Sequence, residues 1–426
     1  TVKHQPNITG VANITITISD GTNQSTYTFT VTVVPPLQYY WDILAGSPAG
    51  TAGNANGTGT TASFNNPSGM VRDSQGNLYV SDHTTNSTIR KITPQGVVTT
   101  FAGTMGSAGY ADGTGTAAKF NAPHQLAIDA NDNIYVADSS NNRIRKITPA
   151  GVVSTYAGNG VANSSVEGAL LTAGINGPYG IVINQATNTM YVSSSSNDIR
   201  KIDMTSGMVT TVAGVFGSPG SVDGIGSVVR FNNPFNLALL PDGNLLTREN
   251  VGNALRLIDT TTGQVTTVGN SNDNGYTSFI STDAQGNWYY ANATGKLVLK
   301  SSFDTVDFVG NGSNGSVIGV NTNATIFVPK QFLLAPNGTA YLVSANANNI
   351  RVGTPYPSLL NPGAQSTNLG TRLAFSSANL SQLGAISNAV DSNSNPLPIT
   401  LTLSAQYGTL DFNSVAAPNG VTVTFA

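Results

Sequence analysis

Cysteine is absent from this chain of 426 residues, and histidine occurs only three times. The lack of cysteine excludes disulfide bonds, thiolate metal sites and cysteine nucleophiles. It does not require a cytosolic location, because bacterial surface proteins often avoid cysteine.

Charged side chains are also scarce, at 9% of residues with a net charge of -3, against about a quarter in an average soluble domain. There is no long basic run, so the electrostatic footprint of a nucleic-acid-binding protein is missing. No stretch reaches the about 18 consecutive apolar residues of a membrane span. Thr1 opens inside a strand-rich segment with no signal peptide before it, which predicts a mature chain or a piece of a longer one.

Glycine, asparagine, serine and threonine take the place of the missing charge, while hydrophobic residues still make up 39% of the chain. That hydrophobic content is too high for a disordered chain. The composition therefore indicates an all-β protein with short strands, many polar turns and a surface of hydroxyl and amide groups.

A phrase ending in glycine recurs along the chain, as in VVSTYAG and VVTTFAG, at steps of about 56 residues with a shorter last step. Its copies end at Gly46, Gly103, Gly158, Gly214, Gly269 and Gly310.

A second phrase alternates with the first: a proline, a short apolar run, a turn, an aromatic strand such as NIYVAD and an Ile-rich strand such as RIRKI. The fifth unit lacks the proline but keeps GNWYYAN. Four short runs per unit, separated by turn residues, predict the blade of a β-propeller. The prolines are Pro67, Pro123, Pro178, Pro234 and Pro329.

The order of the two phrases predicts how the ring closes. Residues 39–46 form an outer-strand phrase that no inner strands precede, and residues 332–352 form inner strands that no outer phrase follows. Together they make one blade, so the sequence predicts six blades closed by an N-terminal outer strand, which leaves no open seam.

The stretch DGTGTAAKFNAPHQLAIDANDNIYVADSSNNRIRKITPAGVVSTYAG, residues 112–158, resembles the NHL repeat, and the resemblance extends over roughly residues 39–352. The resemblance implies a propeller that serves as a binding platform. A minority of NHL propellers are lyases with a metal in the channel, and some animal members bind RNA.

One arginine recurs at the same phase of the third strand in five units. A residue that repeats with the scaffold is expected to pack between blades, with its stem on apolar surface and its guanidinium on an acceptor. Asp82 and Asp138, at the end of the preceding strand, are the expected acceptors in units one and two. With one basic pair per blade there is no basic face for RNA. The arginines are Arg90, Arg145, Arg200, Arg256 and Arg351.

Variable residues follow each proline, near one mouth of the central channel, and the turn after the second strand adds others. Function is expected where the repeat varies, and the aromatic residues suit a sugar face or an extended peptide. The alternative is that these rings plug the channel or pack beneath the loops. The predicted ligand-binding residues are Ser68, His83, His124, Tyr179, Phe235, Arg248, Tyr276 and Lys330, with Glu249 and Asn292 from the same turns.

No catalytic set is predicted. The lyase relatives use several channel histidines, whereas this chain offers His83 and His124, since His4 lies outside the propeller. These two histidines come from neighbouring blades and could hold a metal weakly. The oxygen-rich DANDN, residues 129–133, is interpreted as a turn rather than a calcium loop. No nucleophile elbow or phosphate loop is present, so no cofactor is expected.

The flanks predict partial β-sandwiches. Residues 1–36 resemble the last hairpin of an immunoglobulin- or cadherin-like repeat, and residues 354–426 resemble the first strands of another, as in large bacterial adhesins. The propeller is expected over residues 37–353. The stretch VDSNSNP, residues 390–396, could hold Ca²⁺ at a domain junction or be a plain turn.

The sequence thus favours a non-enzymatic binding or spacer module, secreted or at the cell surface of a bacterium and adhesin-like, with a carbohydrate or peptide ligand. One alternative is a structural subunit of an extracellular fibre, in which the flanking strands of one copy complete the sheet of another. A second is a metal-dependent, lyase-like propeller enzyme.

Overall fold

The computed structural model describes residues 10–19, 24–33, 38–252, 254–270, 279–291, 296–300, 305–310, 317–320, 324–356, 365–367, 399–403 and 421–425. The chain divides into two compact units. The larger unit comprises Tyr39–Lys300 and Asp307–Thr354, and the smaller one comprises Thr1–Gln38, Ser301–Val306 and Pro355–Ala426.

Six separate sheets make up the larger unit, and each is one blade of a six-bladed β-propeller. The first three blades contain five strands each, in which a two-residue strand lies outside the outer strand of the same blade.

Numbering in chain order begins with a hairpin of the smaller unit, β1 (Gly10–Ser19) and β2 (Gln24–Val33), followed by β3 (Gln38–Gly46). Blade 1 then comprises β4 (Gly57–Thr58), β5 (Pro67–Arg72), β6 (Leu78–Asp82), β7 (Thr88–Ile92) and β8 (Val97–Ala102). Blade 2 comprises β9 (Gly113–Thr114), β10 (Pro123–Ile128), β11 (Ile134–Asp138), β12 (Arg143–Ile147) and β13 (Val152–Ala157). Blade 3 comprises β14 (Gly168–Ala169), β15 (Pro178–Asn184), β16 (Thr189–Ser194), β17 (Asp198–Asp203) and β18 (Met208–Gly214).

The last three blades follow the same plan, although blade 5 has four described strands. Blade 4 comprises β19 (Gly224–Ile225), β20 (Pro234–Leu239), β21 (Leu245–Glu249), β22 (Ala254–Ile258) and β23 (Gln264–Asn270). Blade 5 comprises β24 (Ile280–Thr282), β25 (Trp288–Ala291), β26 (Leu297–Lys300) and β27 (Thr305–Val309). Blade 6 comprises β28 (Gly319–Val320), β29 (Pro329–Leu334), β30 (Ala340–Ser344), β31 (Asn349–Tyr356) and, as its outer strand, β3.

The position of β3 in blade 6 confirms the prediction of an all-β, six-bladed ring closed by an N-terminal outer strand. The sheet order of this blade is β28-β3-β31-β30-β29, so the strand nearest the N-terminus of the propeller lies beside its last strand. Trp41 and Ala45 of β3 are fully buried. The closure therefore joins two ends of the propeller by both sheet pairing and apolar packing.

The hydrophobic core lies between successive blades. One cluster joins Tyr135 and Ile144 of blade 2 to Ile181 and Met190 of blade 3, and equivalent clusters join blades 1 and 2, 3 and 4, and 6 and 1. Because a blade's middle strands are covered on both faces, β6, β11 and β21 are buried throughout. The repeat thus places apolar residues at both phases of these strands.

Helix is almost absent from the described part of the chain. The four helices are single 3₁₀ turns, at Gly59–Thr61, Gly115–Ala117, Ser139–Asn141 and Gly226–Val228. None of the described helices is long and apolar enough to cross a lipid bilayer.

The smaller unit contains one five-stranded sheet drawn from both ends of the chain. Its order is β32-β2-β1-β33-β34, with β32 (Gln365–Thr367), β33 (Ile399–Leu403) and β34 (Val421–Phe425). β1 pairs with β2 as an antiparallel hairpin and with β33 on its other edge. Both flanks therefore contribute strands to the same sheet. The stretch at residues 390–396 lies outside the described residues.

Candidate functional site

The recurrent arginines are buried within the blades, where their guanidinium groups meet carboxylates. Arg90 pairs with Asp82 at 3.1 Å and Arg145 with Asp138 at 2.9 Å, and all four side chains are inaccessible to solvent. In blade 4, Arg256 pairs with Glu249. Buried charges need such partners, since an unpaired ion in the interior is strongly destabilising.

A second acceptor for each of these arginines comes from the loop beside the two-residue strand of the same blade. Arg145 Nη2 donates to the backbone oxygen of Ala111 and to Asp112, at 2.8 and 2.5 Å. Arg256 Nη2 donates in the same way to Val222 and Asp223. The guanidinium therefore fastens the loop that enters each blade to the blade's third strand.

Blades 3 and 6 vary this arrangement because serine replaces the carboxylate at the end of their second strands. Arg200 uses the hydroxyls of Ser165 and Thr211, with Asp198 at 3.7 Å. Arg351 donates from Nη1 to the backbone oxygen of Val317, and its Nη2 has no partner in the described part of the chain. Burial lowers the pKa of Arg351 to about 10.

The DANDN stretch forms the turn between the first two strands of blade 2. The Asp129 carboxylate accepts hydrogen bonds from the backbone N–H groups of Asn131 and Asn133, from the Asn133 amide and from the Tyr135 hydroxyl. Its lone pairs are therefore used within the turn. Asp73 and Asp283 hold the corresponding turns of blades 1 and 5 in the same manner.

At the start of the inner strands, the residues that follow the prolines form a connected cluster of rings. The His124 ring centroid lies 4.6 Å from that of Tyr179 and 5.5 Å from that of Phe235, and the Tyr179 and Phe235 centroids are 4.8 Å apart. All three side chains are partly buried. Blades 2, 3 and 4 thus each contribute one ring to what we call the mouth cluster: His83, His124, Tyr179, Phe235 and Lys330.

His83 and Lys330 complete the mouth cluster from blades 1 and 6. The Nε2 atoms of His83 and His124 are 3.0 Å apart, a distance at which one ring donates to the other. The Lys330 ammonium lies 5.7 Å from the centre of the Phe235 ring, within range of a cation–π interaction. Residues that the repeat separates by roughly 250 positions in the chain therefore meet at one end of the channel.

The mouth cluster is electropositive. Burial, followed by the charge of Lys330, lowers the pKa of His83 to about 4, and burial, followed by the charges of His83 and Lys330, lowers the pKa of His124 well below its usual value. Burial and the nearby charge of Arg248 lower the pKa of Lys330, while burial lowers that of Arg248 to about 10. Both imidazoles are therefore neutral at pH 7, beside two cationic side chains.

Gln125, which follows His124 in the chain, crosses between blades. Its Oε1 accepts hydrogen bonds from the backbone N–H groups of Ile181 in blade 3 and Leu237 in blade 4, and its Nε2 donates to the Leu237 oxygen. At the same strand position, blades 1 and 3 have Gly69 and Gly180, where an added Cβ would lie within 2.6 Å of a neighbouring blade's backbone. The inner strands therefore approach closely at this position.

The amide side chains at this level in blades 4 and 6 are buried but unsatisfied. Asn236 and Gln331 are 6% and 9% exposed, and their Oδ1 and Oε1 atoms have no hydrogen-bond partner in the part of the chain that the structure describes. Each follows a member of the mouth cluster directly, after Phe235 and Lys330 respectively. Two buried acceptors at this strand position are thus left without donors in the described part of the chain.

Several predicted site residues occupy other places. Arg248 and Glu249 are the last two residues of β21, not members of a turn, and both are buried. Glu249 serves the scaffold as the partner of Arg256, which the match of LLTRE to LYVSD would have indicated. Ser68 holds the mouth position of blade 1 and is partly buried. Tyr276, Asn292 and His4 lie outside the described residues.

Sequence reasoning did not single out Gln125, Asn236 or Gln331. They lie one position beyond the variable residues on which the prediction concentrated, within strands that read as scaffold. The signal was the alternation of glycine and amide residues at that position, with Gly69 and Gly180 in two blades and amides in three.

The mouth cluster is a poor donor set for a divalent metal. Two imidazoles meet there, but the nearest charges are the cations of Lys330 and Arg248. In the described ranges, no group of three or more His, Cys, Asp or Glu residues could hold a metal ion. A metal at His83 and His124 would have to bind against this positive charge.

Comparison with known proteins agrees with the repeat analysis. Residues 64–92 and 120–147 match the family model of the NHL repeat, so the chain contains NHL repeats in blades 1 and 2. Protein SUPPRESSOR OF QUENCHING 1, chloroplastic, of Arabidopsis thaliana is 26% identical over 244 residues, which are 54% of this chain and 23% of that protein. Human NHL repeat-containing protein 2 is 30% identical over 164 residues, 35% of this chain and 22% of that protein.

The chain thus spans less than a quarter of the length of these two relatives. Among solved structures, a protein of unknown function from Bacteroides thetaiotaomicron superposes with a TM-score of 0.57 at 14% identity, covering 80% of this chain and 90% of that one. This similarity concerns the fold alone.

Proposed function

We propose that the propeller is a non-enzymatic binding module whose ligand, a carbohydrate or a peptide, docks on the mouth cluster. One observation carries the proposal: consecutive blades place different aromatic side chains at one equivalent position, and these rings meet. Ring centroid distances of 4.6 and 4.8 Å join His124, Tyr179 and Phe235. Tyrosine and phenylalanine faces offer large apolar area at low entropic cost, as sugar and peptide sites require.

The rings are not the groups that bond the inner strands to one another. Gln125, the residue after His124, makes hydrogen bonds to the inner strands of blades 3 and 4. Bonding between blades and display of the rings thus fall to different residues.

An array of glycans and peptides probed with the full chain tests this proposal. We expect at least one class of ligand to bind, and Tyr179→Ala and Phe235→Ala each to weaken that binding at least tenfold, about 1.4 kcal/mol. Phe216→Ala is the matched control, because Phe216 is an aromatic residue that is 36% exposed and lies in a loop of the propeller. Binding that all three variants preserve would contradict the proposal.

The setting that we propose is extracellular, on a large bacterial surface protein, where the module would act in adhesion or as a spacer. The low charge, the lack of cysteine and the hydroxyl- and amide-rich surface support it. Detection of the full-length protein in the cytoplasm of its native cells, and not on their surface or in the medium, would contradict this setting.

A second candidate is a subunit of an extracellular fibre. It is favoured by the sheet that joins β1 of the N-terminal flank to β33 of the C-terminal flank, since the same pairing made between copies would link them in series. Electron microscopy of the full-length protein decides between the two, because isolated particles at high concentration would exclude a fibre.

A further inference from the structure

Blade 1 differs from blades 2 and 4 at one loop residue, the side chain that accepts a hydrogen bond from Nη2 of the recurrent arginine. We propose that this residue of blade 1, Asn56, is a self-deamidating site, where the side-chain amide of the folded chain becomes a carboxylate. The change would give Arg90 the second carboxylate that the arginines of blades 2 and 4 already have. Asn56 lies outside the mouth cluster, and the inference does not rest on the proposed function.

The same loop position holds an acidic residue before a glycine in blades 2, 3 and 4, namely Asp112, Glu167 and Asp223. In blade 2, Asp112 Oδ1 accepts from Arg145 Nη2 and from the Thr155 hydroxyl, while Oδ2 accepts from the Thr155 backbone N–H. Asp223 accepts the same three hydrogen bonds in blade 4. The carboxylate therefore joins the loop to the third and the outer strand of its blade.

Asn56 reproduces only two of these three hydrogen bonds. Its Oδ1 accepts from Arg90 Nη2 at 2.9 Å and from the Thr100 hydroxyl at 3.3 Å. The other end of the side chain is an amide nitrogen, which cannot accept from the Thr100 backbone N–H as a carboxylate oxygen does. The amide thus satisfies fewer donors than the carboxylates of blades 2 and 4.

The surroundings of Asn56 also activate its amide carbon toward attack. Two donors, one of them the cationic guanidinium of Arg90, meet on Oδ1, the atom that becomes negative when a nucleophile adds to Cγ. The nucleophile is the backbone nitrogen of Gly57, a residue without a side chain to hinder ring closure. Gly57 belongs to a strand of two residues at the outer edge of the blade, where local opening of the backbone costs least.

The reaction needs only water as a co-reactant, and Asn56 is exposed to solvent. The lone pair of the Gly57 nitrogen forms a bond to Cγ of Asn56, and the side-chain nitrogen leaves as ammonia with the proton that the Gly57 nitrogen gives up. Water then adds to Cγ of the cyclic imide, the bond between Cγ and the Gly57 nitrogen breaks, and that nitrogen regains a proton. Arg90 polarises the Cγ carbonyl in this step too, which directs water to Cγ and gives aspartate rather than isoaspartate.

Three other asparagines in the described part of the chain precede a glycine, and none of them has a cationic donor on its side-chain oxygen. Those oxygens accept from backbone N–H groups instead. The three are Asn159, Asn176 and Asn337. Asn337 is the matched comparison, because it is exposed like Asn56 and begins the same tripeptide, Asn-Gly-Thr.

Peptide mass spectrometry of the full chain, incubated at mildly alkaline pH, tests the inference. It measures the rates of deamidation at Asn56 and Asn337, first in the folded protein and then in urea. In urea the two rates should be nearly equal, because the tripeptides are identical. In the folded protein we expect Asn56 to react at least roughly tenfold faster than Asn337, a modest value for donors on a developing oxyanion.

Variants then assign the difference to the donors and measure its effect. Thr100→Val removes one donor from Oδ1 and should slow deamidation at Asn56 but not at Asn337, whereas Thr99→Val, at an exposed position of the same strand, should change neither rate. Asn56→Asp supplies the product directly. We expect its equilibrium constant for unfolding in urea to be about two- to fivefold smaller than that of the unreacted chain.

Three results would overturn the inference. They are deamidation at Asn56 that is no faster than at Asn337 in the folded protein, isoaspartate as the main product, and an Asn56→Asp variant that is no more stable than the unreacted chain. A chain that is purified already converted at Asn56 and intact at Asn337 would support it. None of these measurements concerns the mouth cluster, so the proposed function stands or falls separately.

Discussion

Arg351 is the recurrent arginine whose guanidinium is least satisfied. In blades 2 and 4 the residue after the shared backbone acceptor is Asp112 or Asp223, and it takes a hydrogen bond from Nη2. In blade 6 the residue after Val317 is Ile318, which is 45% exposed, and Nη2 is left without a partner in the described chain. A charged donor that is buried without an acceptor costs stability.

Ile318→Asp should therefore stabilise the propeller. The new carboxylate would occupy the place of Asp112 and accept from Arg351, and we expect the free energy of unfolding to rise by about 1 kcal/mol. Urea unfolding at pH 7 measures the change. Val317→Asp introduces the same charge one residue earlier and should give no gain, so equal effects of the two variants would contradict this explanation.

Among single residues, the recurrent arginines were predictable from the sequence, but only some of their hydrogen-bond acceptors were. Their phase in the third strand is visible in the repeat, and Asp82 and Asp138 follow from the end of the second strand. The exposed second acceptors, such as Asp112, lie about 33 residues upstream in loops of variable length, so no local pattern connects them to the arginine they meet.

The glycine that ends the outer strand of a blade has a structural role. Gly214 closes β18 with φ of +93°, and an added Cβ would lie 2.4 Å from the backbone oxygen of Asn197 and 2.9 Å from the ring of Phe231. Gly46, Gly103 and Gly158 have the same conformation and meet the equivalent turn of their own blades. The glycine lets the outer strand leave the blade against the turn that precedes the third strand.

Gly214→Ala should consequently destabilise the protein far more than Gly217→Ala. Both residues have positive φ, but a Cβ at Gly217 meets nothing within 4 Å. We expect a loss of about 1 kcal/mol for Gly217→Ala, from backbone strain, and more than about 3 kcal/mol for Gly214→Ala, from strain and contact together. Thermal unfolding compares the two, and similar losses would show that contact with Asn197 is unimportant.

At the level of strands, the four strands of each blade were predictable because turn residues separate them. It did not indicate the two-residue strand at the outer edge of five blades, such as Gly57–Thr58. Two residues are too few to show alternation, and their pairing depends on a loop that the guanidinium of Arg90 holds in place.

Closure of the ring is the property that belongs to the whole propeller. β3 pairs in blade 6 with β28 on one side and β31 on the other. Trp41 is 0% exposed, and an added Cβ at Gly353 of β31 would lie 3.0 Å from its indole ring. The number of blades was predictable because the repeated phrases count it, whereas the crossing of Gln125 between blades depends on distances that no phrase encodes.

Trp41→Ala should weaken the closure and with it the whole propeller. Loss of a fully buried tryptophan costs about 3–5 kcal/mol, whereas Tyr40→Ala, at a neighbouring side chain that is 38% exposed, should cost less than about 1 kcal/mol. Native-state hydrogen exchange adds a second measurement, because Trp41→Ala should speed exchange in β31 before it does so in β12. Uniform acceleration in all blades would show that the ring opens only by global unfolding.

Pairing of β3 with β31 also sets an order of events during translation. Within the propeller, residues 38–46 are synthesised before any other strand. Their neighbour at residues 349–356 emerges only after nearly all the blades have been synthesised. Until then β3 has two open edges and an uncovered indole, features that invite pairing with other chains. The time for which β3 is exposed to wrong pairing is therefore set by the time needed to synthesise the chain between β3 and β31. Faster elongation would shorten that exposure.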